Sequence, residues 1–336
     1  MKKFLLFFLL AGLFACKKQN NLLPDLAKNN SNPHTLQKKI TVGRGKYKTI
    51  ASIYDGTLGA NTVVTILPGT YNDQLILVDG VTYIIDGVTI DYADPDNTKP
   101  TVTSNGVAVN CTISGNGFIK RSNSQASVIA VESGSTVTIT NDVTVTDATD
   151  NYYGAYYGAL QVNGGNLTFD GTINSKGTAA YIRAGNFNGT GMLKSSSGYG
   201  LWLAGNSAVV NYNGNIIASA PYYAAIEMGS GTLSFTGTAN GEKYSPLEIS
   251  GGTASFKDAT FNCAVTDTLL LKENNAVLLW AYDAVTFDNC TFTTAAENAF
   301  SIGNYSGYNT YQLLTNCFAN KPANTAYVGP GELIIH

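Results

Sequence analysis

Short apolar strands recur along this chain at an interval that constrains its fold more than any single motif does. Leu160-Gln161-Val162 is followed by Leu167-Thr168-Phe169, and Leu201-Trp202-Leu203 by Ala208-Val209-Val210. Ile226-Glu227-Met228 leads with the same offset to Leu233-Ser234-Phe235, and Leu247-Glu248-Ile249 to Ala254-Ser255-Phe256. The first strands return after 25 residues (Leu201 to Ile226) and 21 residues (Ile226 to Leu247), lengths suited to one turn of a solenoid. Each strand alternates inward and outward with period two and is too short to form a sheet alone, so only stacking on neighbouring coils buries its apolar side. The expected fold is all-β: a single-stranded right-handed parallel β-helix with a short N-terminal cap. About twelve coils at ~4.8 Å spacing would give a rod of roughly 55 Å.

Composition agrees. Charged residues make up only 13% of the chain, whereas Gly numbers 35 and Tyr 20, a mixture poor in helix formers and rich in turn and strand residues. Gly and Asn at the corners suit left-handed backbone conformations. The net charge of −3 offers no basic field for phosphate, so no nucleic-acid partner is expected.

Lys2 and Lys3 precede an apolar run, Phe4 to Phe14, too short to span a bilayer, followed by Ala15 and Cys16. Residues 1–15 read as a signal peptide. Leu13-Phe14-Ala15-Cys16 resembles the lipobox of bacterial lipoproteins, which implies lipid attachment at Cys16; a plain secretory signal with an incidental cysteine is the alternative. Residues 16–39, rich in Asn and Lys, read as a disordered tether, and residues 40–336 as the β-helix. The expected location is the cell envelope, lipid-anchored at the outer membrane and facing the periplasm or the exterior. The membrane is contacted through the lipid alone.

The other cysteines, Cys111, Cys263, Cys290 and Cys317, are too few for a disulfide-built scaffold and lack metal-ligand spacing. Asn289-Cys290 and Asn316-Cys317 fall on adjacent coils, either as a disulfide or as stacked buried thiols beside an asparagine ladder, with the thiol stack favoured. Only His34 and His336 occur, so the body lacks imidazole for Ser-His-Asp chemistry or histidine-ligated zinc. No cofactor and no metal are expected. Arg121 with Lys120 reads as a solvated turn.

Lys46-Tyr47-Lys48-Thr49-Ile50-Ala51-Ser52-Ile53, followed by Val63-Val64-Thr65-Ile66-Leu67-Pro68-Gly69-Thr70-Tyr71-Asn72-Asp73 and an extended run from Gln74 to Val78, resembles the opening of pectin-lyase-like β-helix proteins. The resemblance implies a capping helix, a first strand and a "P-G-x-Y" turn. It does not imply an activity, because that superfamily includes lyases, hydrolases, esterases, tailspikes and adhesins. The motifs of pectin methylesterases and polygalacturonases are missing, as is the aspartate pair of calcium pectate lyases.

The register places Gln161, Tyr181, Trp202, Glu227 and Glu248 in one outward column, with Asn163, Arg183, Ala204, Gly229 and Ser250 beside it. Aromatic faces contact the apolar patches of sugars, and carboxylate or guanidinium groups bond hydroxyls or uronic acids. Glu227 and Glu248, about 5 Å apart by coil spacing, should raise one another's proton affinity. Tyr157, Tyr199 and Tyr223, with Tyr244, precede the first strands and would form an aromatic rim or support the corner.

Three expectations follow: a polysaccharide-binding envelope protein using Tyr181, Trp202, Gln161, Asn163, Tyr157, Tyr199 and Tyr223; a polysaccharide lyase or glycoside hydrolase acting through Glu227, Glu248 and Arg183; or a structural or adhesive rod without a site. Replacing Cys16 with Ser is expected to release the protein from membrane fractions, and equal membrane association of both forms would remove the lipid anchor.

Overall fold

The computed structural model describes residues 37–94, 98–122, 126–148, 158–265, 275–280, 284–296, 299–302 and 311–321; the signal segment, Cys16 and Tyr157 lie outside them. Within these residues the chain is an all-β parallel solenoid of about ten turns, slightly fewer than the repeat length suggests. The first strand, Lys38–Val42, begins just ahead of Ile40 and pairs in parallel with Thr62–Ile66.

The cap is smaller than a helix. It is a 3-10 turn, Ala51–Ile53, that drops Ile50 and Ile53 onto the end of the core. The Ile50 N–H donates to Asp73 Oδ2 at 2.9 Å, and the Tyr54 hydroxyl donates to the Ile76 carbonyl at 2.9 Å, which ties the cap to the next coil.

In the central coils a three-residue strand is followed, after a corner, by a long strand that bends once. Inward residues stack as columns: Leu160, Ala180, Leu201, Ile226, Leu247 and Val277 form one, and Val162, Ile182, Leu203, Met228, Ile249 and Leu279 its companion. On the long strands Tyr212, Phe235, Phe256 and Phe287 follow one another, with Phe256 and Phe287 stacked at 4.9 Å. Each fully buried Leu or Phe contributes about 1.5–3 kcal/mol, and no coil can bury its share without neighbours.

The bend is built in two ways. On four successive coils it carries glycine: Gly171, Gly191, Gly214 and Gly237 lie in one row. A Cβ at Gly191 would sit 2.0 Å from the Gly171 carbonyl oxygen, and one at Gly214 would sit 2.2 Å from that of Gly191. Towards the C-terminus the row continues through Ala259, Cys290 and Cys317, small buried residues each preceded by one in the left-handed region: Asp258 (φ 51°), Asn289 (φ 53°) and Asn316 (φ 53°). The preceding residue takes the turn, and the bend position then holds a side chain. Cys290 and Cys317 are accordingly free, buried thiols directed at the Phe256 and Phe287 carbonyls, each at 3.5 Å.

Arg121 corrects the sequence reading. It is not a solvated turn residue but 0% exposed, because it shares the inward parity of Ile119 on the strand Phe118–Arg121. Its guanidinium donates to the carbonyls of Lys99 and Ser127, and burial lowers its pKa.

Gly191 (φ 98°) combines a left-handed backbone with a blocked Cβ direction. Gly191→Ala is expected to destabilise the protein by roughly 2–3 kcal/mol in urea unfolding. Gly59→Ala, where a Cβ meets nothing within 4 Å, is expected to leave the midpoint unchanged.

Candidate functional site

The outward column forms in the expected register. Gln161 pairs with Tyr181, Tyr181 with Trp202, Trp202 with Glu227, and Glu227 with Glu248. The three-residue strands Leu201–Leu203, Ile226–Met228 and Leu247–Ile249 turn both flanking residues inward, leaving the middle residue the opposite direction.

Outward direction does not guarantee exposure. Tyr181 is only 6% exposed, because the Trp202 ring covers it at a centroid distance of 4.7 Å. Gln161 is also buried, and its Oε1 accepts a hydrogen bond from Ser127 Oγ at 2.9 Å. Both support the column from beneath. Trp202 is half-buried between Tyr181 and Tyr199, the latter at 5.2 Å. Tyr199 meets Tyr223 edge-on at 5.0 Å, so these two rim tyrosines and the column make one aromatic surface.

Arg183 does not join the column. Arg183 is an extra residue in the strand Ala180–Ser195: Val162 pairs with Ile182 and Asn163 with Ala184, so Arg183 has no partner on the preceding coil. The bulge separates Arg183 from Asn163, and among the described residues no ion pair links it to either glutamate. Its side chain is exposed. Asn163 Nδ2 reaches Glu132 Oε1 at 3.5 Å, one coil further from the glutamates.

Glu227 and Glu248 sit on adjacent coils, where strand spacing is about 4.8 Å. Glu227 is 9% exposed, and its Oε2 is buried with no donor reaching it. Burial, followed by the charge of Glu248, raises the Glu227 pKa well above the usual carboxylate range, while a 3.5 Å hydrogen bond from Ser250 Oγ opposes the shift. A proton held on Glu227 supplies the donor that two facing carboxylates lack. Burial and the two glutamate charges also raise the phenol pKa of Tyr199, and burial together with Glu248 raises that of Tyr244.

Trp280 completes the site and was missed in the sequence. Its indole Nε1 donates to Glu248 Oε1 at 2.8 Å, and the residue is 37% exposed. The Trp280 N–H bonds the Ile249 carbonyl, which puts it beside Ser250 at the end of the next short strand, Val277–Leu279. The interval from Leu247 to Val277 is longer than those before it, so counting coils by their usual length does not lead to this tryptophan.

The assembled surface presents two indoles, at least one rim tyrosine ring and a pair of glutamates on adjacent coils. Among the described residues no group of three or more His, Cys, Asp or Glu is placed to hold a metal ion. The chain matches no protein-family model, and no curated protein or solved structure matches it.

A carboxyl whose folded pKa is raised binds its proton more tightly folded than unfolded. It therefore favours folding below the unfolded value of 4.5, and that contribution is lost as pH rises through the folded value. Between about pH 5 and about pH 8 the unfolding midpoint of the wild type is expected to fall relative to that of Glu227→Gln. Parallel pH profiles for the two proteins would mean that Glu227 holds no extra proton.

Proposed function

We propose that this chain is a glycan-binding protein of the cell envelope, exported and anchored by lipid at Cys16, with pectin-lyase-like ancestry for its solenoid. The observation that carries the reading is the contiguous surface of Trp202, Tyr199, Glu248 and Trp280 across successive coils. Aromatic rings of this kind accept the apolar faces of pyranose rings, and a carboxylate already oriented by an indole N–H accepts sugar hydroxyls. The row runs along the solenoid axis, so a polysaccharide lying on it meets one coil after another. Polysaccharide is the expected partner, and the site asks for no cofactor.

A second reading, glycoside or polysaccharide cleavage, is favoured by the carboxyl pair. Glu227, whose proton affinity is raised, stands beside Glu248 on the next coil, and glycoside cleavage uses a pair of carboxyl groups whose proton affinities differ. Among the described residues no ion pair ties Arg183 to either glutamate, so this reading rests on the carboxyl pair.

A glycan array with product analysis of each binder separates the readings. Binding without cleavage is expected. Trp280→Ala and Trp202→Ala are each expected to weaken binding by about 1–3 kcal/mol, with base stacking on aromatic rings as the guide. Trp280→Ala should leave the unfolding midpoint nearly unchanged. Trp202→Ala should lower it, because Trp202 covers Tyr181. Cleavage abolished by Glu227→Gln with binding retained would establish the second reading, and unchanged binding in both tryptophan variants would remove the tryptophan face as the binding surface.

A further inference from the structure

A second concave surface, which the tryptophan face does not share, lies just before the glycine bend. Two rows of outward residues line a cleft of about 360 Å³ across four successive coils. One row is Thr168, Asn188, Asn211 and Ser234; the other is Asp170, Thr190, Asn213 and Thr236. Between them lie Phe169, Gly189 and Tyr212.

Glycine at 189 interrupts the column of inward aromatic residues between Phe169 and Tyr212. The Tyr212 ring leans across that gap, where a Cβ on residue 189 would meet it at 2.5 Å. Tyr212 is buried, and its hydroxyl has no hydrogen-bond partner.

The lining selects its ligand by charge. It contains amides and hydroxyls, no basic side chain and one carboxylate, Asp170, which accepts the Thr190 hydroxyl at 2.7 Å. Asn211 Nδ2 donates to Asn188 Oδ1 at 2.9 Å, which leaves Asn188 Nδ2 and Asn211 Oδ1 as an exposed donor and acceptor side by side. Such a surface repels anionic polymers and matches vicinal hydroxyls, which donate and accept at once. The threonine methyls along the rows suit the C–H faces of a pyranose.

We propose that this cleft is a separate binding site for an uncharged glycan, laid along the solenoid axis with successive sugar units over successive coils. The spacing of about 4.8 Å between coils gives each sugar of an extended chain a similar pair of polar groups. The proposal does not depend on the tryptophan face.

The test uses the full chain and a panel of uncharged gluco-, manno- and galacto-hexasaccharides, with titration calorimetry and hydrogen-exchange footprinting. At least one member is expected to bind and to protect the backbone at Thr168–Asp170, Asn188–Thr190 and Asn211–Asn213. Asn188→Ala with Asn211→Ala should weaken that ligand about tenfold, as the loss of two hydrogen bonds predicts, while Trp202→Ala leaves its affinity unchanged. Asn213→Ala, a single exposed change in the other row, should weaken it in the same direction. The proposal is overturned by an absence of binding across the panel, by a footprint on residues 199–202 and 278–280 instead, or by retained affinity in properly folded amide variants. The footprint at 199–202 would support the tryptophan face while removing this cleft.

Discussion

The ladder of parallel backbone hydrogen bonds between one coil and the next governs everything else in this molecule. It fixes which residues share a row, and period two then decides which rows face the core. A slip of one residue in the strand Ile226–Met228 would send Glu227 inward and expel Ile226 and Met228. The apolar columns forbid that slip, so the energy that holds the fold also aligns Trp202, Glu227 and Glu248 on three consecutive coils. The carboxyl pair is a by-product of this ladder, since neither glutamate can move away without breaking its own coil's register.

The bend supplies the other constraint. Parallel coils close only if the chain turns at the same place in every coil, and a close backbone approach at that place leaves no volume for a Cβ. In the middle of the solenoid glycine meets the demand directly. Near the C-terminus an added Asp or Asn takes the left-handed conformation and lets Ala259, Cys290 and Cys317 occupy the row. The thiols are there for their size, as small apolar groups that fit a tight inward corner.

Much of this was legible in the sequence, because alternation in Leu201-Trp202-Leu203 and Leu247-Glu248-Ile249 declares the inward pair and therefore the outward middle residue. What was illegible depends on contacts between rows. Tyr181 points outward as its parity requires yet is covered, since burial there is set by the Trp202 ring on the next coil. Arg183 lost its partner Asn163 because a bulge after Ile182 adds a residue without any visible change in the apolar pattern. Arg121 carries a charge, but strand parity and two waiting carbonyls drew it inside. Trp280 escaped because the chain between Cys263 and Val277 is extended well beyond the usual connection.

That long connection belongs to a general asymmetry. In the coils from Leu201–Leu203 to Leu247–Ile249 the corner between the short strand and the long strand after it stays compact, whereas the return from the long strand to the next short strand varies from Ser175–Ala180 to Cys263–Val277. Tyr199, Tyr223 and Tyr244 all sit in such returns, beside the tryptophan face. Length gained or lost there never enters the ladder, so it leaves the register of the coils intact. In evolutionary terms the two edges of these central coils are unequal: one is held by geometry, while the other can be rewritten one coil at a time without the chain relearning how to fold.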